Sequence, residues 1–426
     1  MLKVFHTDDP DTFKSKALRW ANSFDTACYF DSNNFADPYS AFGIFIGAGK
    51  AAELWETDKN PFEELDIFLS ANQGYIPGYF SYDLKNQIEN LKSENADHLY
   101  FPEIHFFLPE HSILIRDDKV SIFSASADET WESIHQTGLN YSEKQEPLPI
   151  ISSRISKTQY IKTVQEIQKH IQRGDIYEIN FCQEFYADNI RIDALEVFIA
   201  LNRLSPTPFA NYFKINEHYI ISATPERFLS RRGNKLISQP IKGTSSRNTD
   251  ATRDEKQKEE LLSNEKERAE NVMIVDLVRN DLTKSAKPGT VRVEELFGIY
   301  SFKQVHQMIS TVVCEADEIL SNTRIIANTF PMGSMTGAPK IRAMQLAEKY
   351  ESTKRGVYSG AVGYFAPNGD FDFNVVIRTI LYNAKQKYLS FHVGSAITLD
   401  SDPEKEYEEC LLKGMAIRDV LNQNKP

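Results

Sequence analysis

The chain has 426 residues, 41% hydrophobic and 25% charged, with a formal net charge of −12. That composition is ordinary for a soluble globular protein long enough for two or three domains, and its acidity excludes nucleic acid or an anionic membrane as the main partner. The N-terminal MLKVFHTDDPDTF lacks a signal-peptide apolar core, no apolar run approaches the ~20 residues of a membrane span, and Cys28, Cys182, Cys314 and Cys410 lack C-x-x-C spacing, so reduced buried thiols in a cytoplasmic protein without zinc are expected.

Residues 1–141 read as an N-terminal region of short apolar strands and turns, among them AFGIFIGAG, GYIPGYFSYDL and HFFLPEHSILIRDDKVSIFSA. The polar, proline-bearing SEKQEPLPIISSRIS (142–156) reads as a linker. A second region, 157–426, opens on an amphipathic helix with Tyr160, Val164, Ile167 and Ile171 on one face and Gly174 as its stop. Strands follow at IYEINFCQEFYA, ANYFKINEHYIISAT and ERFLSRRGNKLISQPI. From YSGAVGYF to HVGSAITL further strands turn at PNGD and NAKQK. Helices are predicted over 253–284, 322–329, 338–350 and 403–422. Hairpin strands with helices grouped between them predict an α+β fold with antiparallel sheets.

Two matched acid pairs stand out, Glu267 with Glu270 and Glu406 with Glu409. Spacing i, i+3 on a helix puts both acids of a pair on one face. Alone, such a pair is usually a solvated helix face. Here the glycine-rich MGSMTGAPK, YSGAVGYF and HVGSA lie between the pairs, and carboxylates beside close-approach backbone suit a Mg²⁺ that grips a substrate carboxylate or phosphate.

Other residues carry chemistry of their own. Lys242, in PIKGTSSR, falls at a predicted strand end, where Gly243 leaves its amine unshielded. As a nucleophile it must lose a proton, so a depressed pKa is expected; the alternative is a surface turn lysine. Glu226, in SATPERF, lies sixteen residues earlier, and a hairpin would join acid and amine as a proton-transfer pair. A local salt bridge between Glu226 and Arg227 is the competing reading. Arg378, in FNVVIRTI, reads as a cation within an apolar strand, either gripping a carboxylate or lying on a solvated face. His306, one of nine histidines, is by residue type alone more readily a hydrogen-bonded core group. MTGAPK places Pro339 and Lys340 at a helix start, with the backbone N–H groups of Thr336 and Gly337 available to an anion.

The strings GDIYEINFCQEF, SATPERF, PIKGTSSR, ERAENVMIVDLVRNDL, MTGAPK, YSGAVGYF, FNVVIRT and SDPEKEYEECLLKGMAI, in this order, resemble the chorismate-utilising enzymes over about residues 155–420. That family includes the anthranilate, aminodeoxychorismate, isochorismate and salicylate synthases. The resemblance implies four layers, two stacked and mainly antiparallel sheets flanked by helices. It implies Mg²⁺ on Glu270 and Glu409, with Glu267 and Glu406 in support. Tyr358 and Arg378 become grips for a substrate carboxylate, beside Gly394, Thr244 and Thr336; Glu226 becomes the general acid/base, and His306 a residue near the ring.

The resemblance is closest to the aminodeoxychorismate synthase branch, whose P-I-x-G-T motif carries lysine where the anthranilate and isochorismate branches carry alanine. Glu178 stands where the isochorismate branch has a water-activating lysine and most amine-adding members have glutamine. Ala396 replaces a family glycine, and YFDSNNFADP stands in place of the LLES string of tryptophan-regulated anthranilate synthases. The implied reaction joins ammonia to chorismate through a covalent Lys242 adduct, in p-aminobenzoate and folate biosynthesis. A pyruvate-releasing lyase and a non-catalytic chorismate-binding homologue are the alternatives. No cysteine sits in a G-x-C-x-G turn, so ammonia is expected from a separate glutamine amidotransferase subunit.

Overall fold

The strands Thr26–Asp31 and Ile44–Ala48 are buried along their whole length. Ala27 and Tyr29 enter one hydrophobic core, and Cys28 and Phe30 enter the other; Ile44, Ile46 and Ala48 divide from Phe45 in the same way. Side chains alternate along a strand, so a strand apolar on both faces must be covered on both. The computed structural model, which describes residues 2–57, 59–139 and 149–422, meets that demand with a 12-stranded and a 10-stranded sheet stacked face to face. Neighbouring strands run antiparallel. The helices Pro10–Asn22, Lys157–Gln172, Ala194–Leu204, Lys340–Tyr350 and Pro403–Lys413 cover the outer face of the larger sheet. Pro61–Ala71, Glu265–Thr283 and Asn322–Thr329 pack against the smaller one. The expected α+β four-layer architecture is therefore present.

Both sheets draw strands from both sides of 142–156. Ala210–Ile215 pairs with Thr26–Asp31, and Ala361–Phe365 pairs with Ile76–Phe80. The first part of the expected linker, 142–148, lies outside the described residues, while Ser152 and Ser153 pair with Tyr186 and Phe185. The hairpins at PNGD and NAKQK form as expected.

Three differences have local causes. The N-terminal region is not strands and turns alone: it holds the helices Pro10–Asn22, Pro61–Ala71 and Ala127–Gln136. The first two begin with a capping Asp9 or Asn60 followed by proline, a start signal present in the sequence. The helix expected over 253–284 is two, Ala251–Ser263 and Glu265–Thr283, because Asn264 leaves helical geometry and its side chain caps the Glu267 N–H. The helix expected over 403–422 is interrupted at Gly414.

One buried cation ties the site's walls together. Arg355, 2% exposed, donates to the carbonyls of Met335 (2.7 Å) and Asn180 (2.9 Å). It also makes a two-point pair with Glu351 at 2.6 and 2.8 Å, and Glu351 in turn accepts the Cys182 N–H at 3.0 Å. Removing one partner strands a buried charge. Arg355→Met should therefore lower unfolding free energy by about 3–5 kcal/mol, whereas Arg355→Met with Glu351→Leu should lose clearly less. Equilibrium urea unfolding of the three proteins measures this, and equal losses in both variants would count against a stranded charge.

Candidate active site

The antiparallel strands Arg227–Arg232 and Lys235–Gln239 fold the chain back between Glu226 and Lys242. Acid and amine come near enough for each to feel the other's charge, but among the described residues they form no ion pair. Glu226 is 4% exposed, and its carboxyl is pushed up to about 7, chiefly by burial. The Ser334 hydroxyl, Lys242, the Ile241 N–H and Arg378 pull it part of the way back. Arg227 is not its partner. That guanidinium binds Asp372 at 2.9 and 3.0 Å and Asp37 at 2.6 Å.

Lys242 lies near the start of the strand Ile241–Ser246, not at a strand end. Its nitrogen pairs with Glu178 Oε1 at 3.1 Å, with 11% and 2% of the two side chains exposed. Burial works against the ammonium, but the charges of Glu178, Glu270 and Glu226 outweigh it and move the lysine pKa up. This corrects the expected depression: desolvation is present, but three carboxylates reverse its effect.

Arg378 is not within a strand. It occupies a bend between Phe371–Val375 and Thr379–Asn383, with φ of 50°. Among the described residues its half-buried guanidinium makes no hydrogen bond and no close ion pair; the charge it senses is that of Glu226. A cation so placed has its donors available for an anion. Tyr358 is buried, stacks on His392 at 5.0 Å, and its oxygen takes the Cys182 thiol at 3.8 Å. Gly394 faces Cys182 across the ladder, and a Cβ there would lie 2.6 Å from the Cys182 sulfur, so only glycine fits. Ala396, opposite Asn180, is accommodated.

Three expected site residues are placed differently from the rest. The Thr336 N–H donates to Gly333 and its hydroxyl to Met332 and Gly333, so the proposed anion donors there are partly used. Thr244 is exposed, opposite Gln307. His306 is fully buried, and its nitrogens are engaged by Ser301 at 2.8 Å and Asp254 at 2.9 Å. Asp254 is held well below the usual carboxylate range, first by Arg247 and then by the Asn248 N–H and His306. Sequence reasoning passed over Asn180, whose amide donates to the Ser334 carbonyl at 2.9 Å. Its signal was an amide between the apolar Ile179 and Phe181 in a strand.

The four acids of the matched pairs gather on the helices Glu265–Thr283 and Pro403–Lys413. Lys266 reaches Glu270 at 3.7 Å and Glu406 at 4.0 Å, and Lys413 holds Glu409 at 2.6 Å and the Gly394 carbonyl at 3.0 Å. Burial raises the Glu270 carboxyl to about 7, and burial with the charge of Glu409 raises Glu267. The lysine contact holds Glu409 low in spite of burial. As placed, no three acid, histidine or cysteine groups among the described residues are drawn close enough to hold a metal.

Glu226 makes a stability prediction that needs no substrate. Its folded value of about 7 lies above the ordinary 4.5, so its contribution is fully present below 4.5 and is lost as pH rises to about 7. Glu226→Gln cannot ionise and escapes that loss. The variant should gain on wild type by roughly 3 kcal/mol between those pH values, read from urea unfolding as a function of pH. Parallel pH curves would place the Glu226 titration elsewhere.

The sequence matches the chorismate binding enzyme family over residues 25–419. It is 33% identical over 373 residues to aminodeoxychorismate synthase component 1 of Bacillus subtilis (strain 168), covering 82% of this chain and 77% of that one. It is 31% identical over 406 residues to anthranilate synthase component 1 of Acetivibrio thermocellus, covering 86% and 81%. In fold it is similar to the crystal structure of anthranilate synthase component I from Streptococcus pneumoniae TIGR4, with a TM-score of 0.77, 24% identity, and coverage of 88% and 91%. The chain belongs to the chorismate binding enzyme family.

Proposed function

We propose that the chain joins ammonia to chorismate, giving 4-amino-4-deoxychorismate with the pyruvyl enol ether retained, as in p-aminobenzoate and folate biosynthesis. The observation that carries this reading is Lys242, enclosed beside a Glu226 carboxyl that titrates near 7 and a guanidinium, Arg378, with no protein partner among the described residues. A group titrating near neutrality can give and recover a proton in one cycle. Arg378 and the hydroxyl of Tyr358 take a substrate carboxylate, and His306 supports the wall through Asp254. The Lys242 nitrogen, once neutral, bonds to ring carbon C2, while the proton of Glu226 leaves with the C4 hydroxyl as water. Ammonia bonds at C4, the bond from C2 to the lysine nitrogen breaks, and Glu226 recovers a proton from the new amine. Splitting one substitution into two covalent steps lowers each barrier.

We assign Mg²⁺ to these acids from their chemistry: four hard carboxylates lie on two helices, two of them are raised by burial and mutual charge, and the nearby positive charge comes from lysines, although as placed no three of them among the described residues stand close enough to hold an ion together. Glu270 and Glu409 would hold the ion, with Glu267 and Glu406 supporting through water. When bound, it would supply positive charge for a substrate carboxylate. Free ammonia is scarce at neutral pH, and we assign its supply to a separate glutamine amidotransferase subunit. Among the described residues no helix is long and apolar enough to cross a membrane.

The purified chain with chorismate, Mg²⁺ and ammonium should give a product that retains the pyruvyl carbons by mass, at a rate that rises with pH as free NH₃ forms. Anthranilate as product, or turnover from glutamine by this chain alone, would overturn the reading. Without ammonia, intact mass should show an adduct that maps to the Lys242 peptide, and Lys242→Ala should abolish it. Glu270→Gln and Glu409→Gln keep the side-chain shape but remove an anionic ligand, so turnover at limiting Mg²⁺ should fall by orders of magnitude while circular dichroism is unchanged. Near-normal rates in both variants would remove the metal from these acids.

A further inference from the structure

Glu178 places a buried carboxylate against Lys242. Its Oε1 takes the ammonium at 3.1 Å, and its Oε2 is buried with no hydrogen-bond partner among the described residues. Other charges face the lysine from several elements. Glu226 precedes the strand Arg227–Arg232, Glu267 and Glu270 lie on the helix Glu265–Thr283, and Glu409 lies on Pro403–Lys413. Arg378 stands beyond Glu226. Of these, among the described residues, only Glu178 is within ion-pair distance of the nitrogen.

We propose that Glu178 is a positioning residue for Lys242: its carboxylate holds the nitrogen in place as an ammonium, and covalent chemistry begins only when that ammonium gives up a proton to water. The step balances simply. Lys242–NH₃⁺ loses one proton to solvent, its freed lone pair forms the bond to C2 as the C4–O bond breaks and the hydroxyl leaves with the Glu226 proton as water, and Glu178 takes up no proton. Opposite charge at this distance favours the ammonium, in agreement with the raised lysine. An amide in its place keeps a hydrogen-bond acceptor but not the charge, so the ammonium releases its proton at lower pH. Glu178 thereby sets the pH range in which the chain reacts.

The inference rests on the covalent reading above, and one experiment separates the two. The full chain, with Mg²⁺ and chorismate but no ammonia, is followed by intact mass, and the rate of adduct formation is plotted against pH. The midpoint of the Glu178→Gln profile should lie about one to three pH units below that of wild type. Glu178→Ala, which also removes the charge, should shift the same way and serves if the first variant does not fold. A purely structural role would change the amount of adduct without moving the midpoint. Wild-type adduct with both midpoints unchanged overturns the role of Glu178 alone. A midpoint moved to higher pH also overturns it, and would make Glu178 the base. No wild-type adduct at any pH overturns the covalent reading itself.

Discussion

Arg355 donates to two carbonyls that belong to different walls of the site, those of Met335 and Asn180. Neither carbonyl is joined to the other by local sequence: Met335 ends a short turn before Thr336 and Gly337, and Asn180 lies in the strand Glu178–Ala187. A guanidinium has five donors in a rigid fork, and burying it demands that nearly all be answered. Glu351 answers two and, through the Cys182 N–H, reaches back to the same strand as Asn180. The stacking of the two sheets leaves a seam in which irregular backbone must be held, and this pair holds it.

The chemistry of the site follows from how one physical effect is balanced in two places. Burial disfavours charge on Glu226 and on Lys242 alike. At Glu226 burial outweighs the Ser334 hydroxyl, Lys242, the Ile241 N–H and Arg378, so its carboxyl is pushed up to about 7. Lys242 is ringed by carboxylates and stays an ammonium. Two groups in one pocket are thus set in different charge states by their neighbours. The same crowding of acids, continued to Glu270 and Glu409, gives the pocket its need for positive charge.

Much of this was legible in residue order. Hairpin strands with helices grouped between them announced antiparallel sheets, and PNGD and NAKQK announced their hairpins. The sixteen-residue interval between Glu226 and Lys242 suits a hairpin, and the hairpin is there. Arg378 was misplaced because FNVVIRTI is apolar on both sides, which is the pattern of a strand; the chain bends there at positive φ, and bends of non-glycine residues leave little trace in composition. The helices after Asp9 and Asn60 were passed over although their capping residues and prolines were present. Arg355, in ESTKRGVYSG, carried no signal at all, since a charged run beside glycine reads as a surface loop.

Sequence by itself determined the hairpins at PNGD and NAKQK, the helices Lys157–Gln172 and Asn322–Thr329 and the residues that carry reactive groups, because these depend on turn chemistry, periodicity and side-chain identity, which are local. Tertiary structure alone decided the upward shift of Lys242, the partners of Arg227, the commitment of His306 to Asp254 and Ser301, and a guanidinium of Arg378 that is unpaired among the described residues. Each depends on which distant groups lie within a few ångströms and how much water they exclude, and neither quantity is a property of neighbouring residues in the chain.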